Sequence, residues 1–199
     1  MSRPGTPCGM QAPGSMIFAG HSRFRRAIPE ENRHLAAVFD PHSTTAADKP
    51  ELYRHLAAQL RGLLDGERDP LANAANLAAL LYHALPDVNW AGFYRLPGDE
   101  LVLGPFQGKP ACVRLPLGKG VCAAAAARRE TVIVPDVHDF PGHIACDAAS
   151  RSEIVVPVIH AGRLLGVLDL DSPRPDRFDA ADQAGLEPLV AMLVEGCDW

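Results

Sequence analysis

The chain has 199 residues, 47% hydrophobic and 22% charged, with a formal net charge of −5, the profile of one cored globular domain and not of a disordered chain. That mild acidity gives no electrostatic footprint for nucleic acid or an anionic membrane, and no apolar run approaches a membrane span. The basic start MSRPGTPCGMQAPGSMIFAGHSRFRR lacks the apolar core of a secretory signal, so cytoplasm is the expected compartment.

Residues 1–45, with scattered proline, glycine and arginine, read as a poorly ordered extension, and residues 46–199 as the folded domain. Asp48-Lys49-Pro50-Glu51 resembles a capping box, followed by Leu52, Leu56, Leu60 and Leu63 at helical spacing. Asp69-Pro70 opens a second helix with Leu77, Leu81 and Leu85 on its apolar stripe. The pattern then turns to strands: VNWAGFYRL, ELVLGPF and ACVRLPL. In the first, Trp90, Gly92 and Tyr94 share one face and Asn89, Ala91 and Phe93 the other. Such rings are usually core, although Gly92 between them leaves a gap suited to close backbone approach or a small ligand.

Cys112 falls on the third expected strand. Gly118-Lys119-Gly120 leads into the alanine-rich helix VCAAAAARRE. Cys122 then sits in a first helical turn, where the helix N-terminus is expected to lower its pKa. After the short strand TVIVPD comes the polar loop PGHIACDAAS. There Cys146 follows His143 by three residues and precedes Asp147, whose charge opposes thiolate formation. Zinc held by Cys112, Cys122, His143 and Cys146 is a minor reading, because no C-x-x-C is present and H-x-x-C is unspecific. No metal is expected. A Cys-His hydrolase lacks any nucleophile signature.

SEIVVPVI and RLLGVLDLDS form the strongest hairpin. A three-residue loop, His160-Ala161-Gly162, would place its glycine at a G1 bulge. That register sets Glu153 opposite Asp169, with Asp171 diagonal on the same face, alongside Val155, Ile159, Leu165 and Val167. Ile154, Val156, Val158, Leu164 and Leu168 then share the other face. Three converging acids repel unless a cation binds or one is protonated, so a ligand site is expected there. A last helix runs from about Asp179 to Glu195, with a bend expected near Gly185 and Pro188. Helices, a mostly antiparallel sheet and a closing helix make one α+β domain.

NWAGFY, LGPFQGKPACVRLPLGKGVC, VPDVHDFPGHIACDAASRSEIVVPV and GVLDLDS together resemble the free methionine-(R)-sulfoxide reductases, built on a single GAF domain. The likeness spans roughly residues 45–195. It implies a central sheet of about six strands, with helices on one face and a ligand pocket on the other. It also implies that Cys146 is the nucleophile, Cys112 the resolving thiol and Cys122 a third thiol, although the residues alone favour Cys122 as the best thiolate. Glu153, Asp169 and Asp171 match the family's binding carboxylates, and Trp90 and Tyr94 its pocket aromatics. The implied reaction takes free methionine-(R)-sulfoxide to methionine through a cysteine sulfenic acid and a disulfide that thioredoxin reduces, with no cofactor. A homodimer is compatible with it. The competing expectation is a GAF small-molecule-binding or thiol redox-sensing module without turnover. Cys8 and Cys197 receive no role.

Overall fold

The computed structural model describes residues 48–142 and 147–199. The expected extension over residues 1–45, together with His143 and Cys146, lies outside the described residues. Helix α1 (Lys49–Leu64) begins where the Asp48 side chain accepts a hydrogen bond from the Glu51 amide at 2.9 Å. It buries Leu52, Leu56 and Leu60. Helix α2 (Pro70–Ala84) is capped in the same way by Asp69, at 2.8 Å from the Ala72 amide, and buries Leu77 and Leu81.

Six strands follow: β1 (Trp90–Arg95), β2 (Glu100–Gly108), β3 (Arg114–Pro116), β4 (Val132–Val134), β5 (Ser152–His160) and β6 (Arg163–Ser172). They form one antiparallel sheet in the order β3-β2-β1-β6-β5-β4. Helix α3 (Val121–Arg128) joins β3 to β4, and α4 (Ala180–Gly196) closes the chain. Helix α4 runs unbroken through Pro188. Its capping box, Asp179 with Asp182, was not evident in the sequence. The buried Asp182 carboxylate accepts from Lys49 Nζ at 2.6 Å, Tyr53 Oη at 2.9 Å and Arg177 Nη1 at 3.1 Å. One fully paired buried charge thus ties the first helix to the last.

The two sheet faces bury different cores. Helices α1, α2 and α4 cover the face carrying Ala91, Phe93, Ile154, Val156, Val158, Leu168 and Leu170. The opposite face carries Trp90, Tyr94, Val155 and Val167, and packs against Val121, Cys122, Ala125 and Ala126 of α3. So three helices lie on one face, as expected, but short α3 shares the pocket face.

The hairpin register differs from expectation. The turn has two residues, with His160 paired to Arg163 and both Ala161 (φ 47°) and Gly162 (φ 76°) in the left-handed region, as a two-residue turn of the primed type requires. A bulge then inserts one residue between Ile159↔Leu164 and Val158↔Gly166. Glu153 therefore lies opposite Asp171, and Asp169 opposite Val155. The bulge also exchanges two leucines: Leu165 packs with the helix-side core and Leu164 with the pocket-side core. The acids still converge on one face, because turn and bulge together shift the register by two residues from the expected one. A side chain at Gly166 would meet the Tyr94 carbonyl oxygen at 2.1 Å, so the bulge depends on glycine there. Gly166→Ala is expected to cost about 2 kcal/mol or more in urea unfolding, whereas Ala161→Asn should gain about 0.5–1 kcal/mol by suiting the left-handed turn.

Candidate active site

The pocket face collects the residues singled out by the sequence. Across the sheet, Trp90 of β1 is paired with Asp171, and Gly92 with Asp169. On the far side of β6, Glu153 is paired with Asp171. Cys122, in the first turn of α3, lies above them, with Sγ 3.4 Å from Asp169 Oδ2 and 3.9 Å from Glu153 Oε1. Glu153 and Asp169 are only 5% and 6% exposed, while Asp171 is half-buried. A small cavity of about 40 Å³ is lined by these acids, Cys122, Trp90 and Tyr94.

The aromatic wall depends on Gly92. Trp90 stacks on Tyr94 at 5.9 Å between ring centroids and on Phe106 at 5.4 Å. A Cβ on Gly92 would meet Phe106 Cβ at 2.4 Å and Trp90 Cη2 at 2.6 Å. The gap read in the sequence is thus filled by side chains. The polar tips of the rings reach over to the β2–β3 loop: Trp90 Nε1 donates to the Lys109 carbonyl at 3.1 Å, and Tyr94 Oη to the Cys112 carbonyl at 3.0 Å. Cys112 lies on that loop and not on a strand, because β3 begins only at Arg114. Cys112 is disulfide-bonded, whereas Cys122 and Cys197 are free thiols. Cys197 lies far from this site at the end of α4, where Asn73 Nδ2 donates to its sulfur at 3.3 Å.

Electrostatics reverse one expectation. Helix α3 does not lower the Cys122 pKa. Burial pushes the thiol well up, and the Asp169 and Glu153 carboxylates push it further. A fully buried thiol facing two acids stays protonated, whatever partial charge the helix end supplies. Burial likewise raises Asp169 to about 7, against the opposing pull of hydrogen bonds with Cys122 and Glu153. Glu153 is raised well above the carboxylate range by burial and then by the Asp169 and Asp171 charges. Asp171 is raised by burial and by Asp169. The site therefore stores protons on carboxyls near neutral pH.

Asp147, next to Cys146 in the chain, behaves oppositely. The Ala149 amide and Lys109 hold its carboxyl below the usual range, with Lys109 Nζ at 3.1 Å and Asn89 Nδ2 at 3.4 Å. Lys109, Asn89 and Ser150, which also accepts from Asn89 at 3.2 Å, were not singled out in the sequence. Lys109 lies within GPFQGKPACV, but no periodicity there signals a loop-to-loop ion pair. Among the described residues, Cys122, Glu153 and Asp169 also have the spacing to hold a metal ion.

Stability should report the raised acids. Asp169 binds its proton more tightly folded, at about 7, than unfolded, near the ordinary carboxylate value. Its contribution is complete below the unfolded value and is lost as pH rises through about 7. Asp169→Asn is therefore expected to change little at about pH 4 and to stabilise the protein at pH 8 by about 1 kcal/mol or more, as read by urea unfolding at the two pH values.

The GAF domain profile matches residues 73–193. The chain is 54% identical over 146 residues to the free methionine-R-sulfoxide reductase of Escherichia coli, covering 73% of this chain and 88% of that protein. It is 45% identical over 158 residues to the free methionine-R-sulfoxide reductase of Saccharomyces cerevisiae, covering 75% and 88%. The structure of free methionine-R-sulfoxide reductase from Neisseria meningitidis in complex with its substrate superposes with a TM-score of 0.74 at 47% identity, covering 76% of this chain and 92% of that one. The chain belongs to the free methionine-R-sulfoxide reductase family, on a single GAF domain.

Proposed function

We propose that this chain reduces free L-methionine (R)-sulfoxide to L-methionine, with Cys146 as nucleophile, Cys112 as resolving thiol and thioredoxin as reductant. One observation carries the reading: buried, proton-holding Glu153 and Asp169 share a pocket with stacked rings and with the loop that bears Cys112. The names of the relatives point to the same substrate.

Sulfoxide reduction needs a soft nucleophile at sulfur and a proton for the oxygen. In this reading a protonated acid of the Glu153, Asp169 and Asp171 group donates to the sulfoxide oxygen, while an ionised one holds the α-ammonium. Trp90 and Tyr94 pack the methyl group. Cys146 attacks the sulfoxide sulfur and forms an S–S bond to it; the protonated oxygen then transfers to the Cys146 sulfur as the S–O and S–S bonds to the substrate sulfur break, so methionine leaves and Cys146 becomes a sulfenic acid. The Cys112 thiol then displaces it as water, forming a disulfide that a dithiol reductant reduces by exchange. No metal or organic cofactor takes part. Cys122, held protonated by its surroundings, is not the attacking group. Asp147 beside Cys146 has its charge met by Lys109, which lessens its opposition to a thiolate.

The decisive assay offers free methionine-(R)-sulfoxide, the S epimer and a peptide-bound sulfoxide with thioredoxin. Turnover of the free R epimer alone is expected, and turnover of the peptide but not the free amino acid would sink the reading. Cys146→Ser should lose about a thousandfold or more in rate, and Cys122→Ser less than about tenfold.

A cavity of about 40 Å³ holds only a few waters, so the Cys112 loop must withdraw to admit an amino acid. Calorimetry should find the sulfoxide bound by reduced Cys146→Ser and at least tenfold more weakly by the oxidised native chain; equal affinities would contradict this.

A further inference from the structure

We infer that the pocket floor is a binding site for one divalent ion of the zinc class, held by Cys122, Glu153 and Asp169. One atom from each residue lies within 4.8 Å of the other two, and all three residues are buried. The sulfur–oxygen separations are 3.4 Å to Asp169 and 3.9 Å to Glu153. A tetrahedral zinc with the usual thiolate and carboxylate bond lengths has sulfur–oxygen edges of roughly 3.5 Å. The ligands therefore need to move only slightly to close on an ion.

A separate observation points the same way. Asp169 Oδ1 is buried and meets no hydrogen-bond donor, while Asp169 lines the cavity. A buried carboxylate oxygen without a donor calls for a ligand, and a cation supplies one. The three ligands stand on the first turn of α3, the start of β5 and the middle of β6, so regular backbone and not loop geometry fixes them.

The chemistry of the donors selects the ion. A thiolate with two carboxylates suits zinc, cobalt or cadmium, whereas magnesium and calcium take oxygen ligands. Three protein ligands leave one tetrahedral position toward the cavity, within reach of water or of half-buried Asp171. A metal seated there occupies the acids that would hold the sulfoxide, so it inhibits competitively. Only this last consequence rests on the reductase reading.

The test titrates the metal-free chain, with its Cys112 disulfide intact, using Zn²⁺ and separately Co²⁺. One equivalent should bind, and the cobalt form should show thiolate-to-metal charge-transfer absorption. Cys122→Ser should lose that absorption and about tenfold or more in affinity. Glu153→Gln and Asp169→Asn should each weaken binding by about tenfold or more, and Cys197→Ser should change neither readout. If Cys122→Ser does not fold, the native cobalt spectrum and the two carboxyl variants decide. No bound metal, or binding that survives both carboxyl variants, overturns the site. A reductase assay run in parallel separates the two readings. Turnover by a chain that binds no zinc removes only the metal site, bound zinc without turnover removes only the reductase, and an unchanged KM for sulfoxide in zinc removes the competition.

Discussion

Glu153 and Asp169 meet the Cys122 thiol inside a sheet face otherwise made of valine, tryptophan and tyrosine. In water each carboxyl would ionise well below neutrality. Here loss of hydration makes the charged form of both costly, and the Asp169 charge raises the cost for Glu153 further. The same crowding keeps the thiol protonated. A cluster of this kind detracts from stability in the free protein, and it survives because the remainder of the fold is well braced. Donors and charge-binding groups pointed at one small cavity are what a polar substrate requires.

The bracing lies on the other side of the sheet. Three helices cover an apolar core, and the fully paired Asp182 carboxylate joins α1 to α4. That face carries the stability, which lets the pocket face carry strained chemistry. Between the two, the β5–β6 hairpin acts as the positioning element. Its tight turn and the bulge at Gly166 together decide which acids look into the pocket. The rings add a second connection: Trp90 and Tyr94 both wall the cavity and hold the Cys112 loop through their polar tips. Ring placement and loop position are thereby tied together in the structure.

Much of this was legible in the residues. Caps at Asp48 and Asp69, the leucine stripes and the six strands follow from local signals that the tertiary structure reinforces. The convergence of Glu153, Asp169 and Asp171 was also readable, though by the wrong route. Ala161 does not announce a left-handed turn as asparagine would, and a bulge leaves no mark in a run such as RLLGVLD. Two one-residue differences combined into an even shift, so the predicted face held while the opposite partners changed. The Cys122 pKa could not be read at all. A helix N-terminus is visible in sequence, whereas the acids that overrule it come from strands about thirty and nearly fifty residues away. The Lys109–Asp147 pair was hidden for the same reason, since it joins two loops without periodicity.

The pocket carboxyls keep protons where surface acids have lost them. Infrared spectroscopy of the native chain, with isotope-labelled aspartate and glutamate, tests it most directly. A protonated carboxyl stretch should persist at pH 6, titrate away around 7 for Asp169, and diminish in Asp169→Asn and Glu153→Gln. A spectrum already free of that stretch at pH 5 would contradict the account.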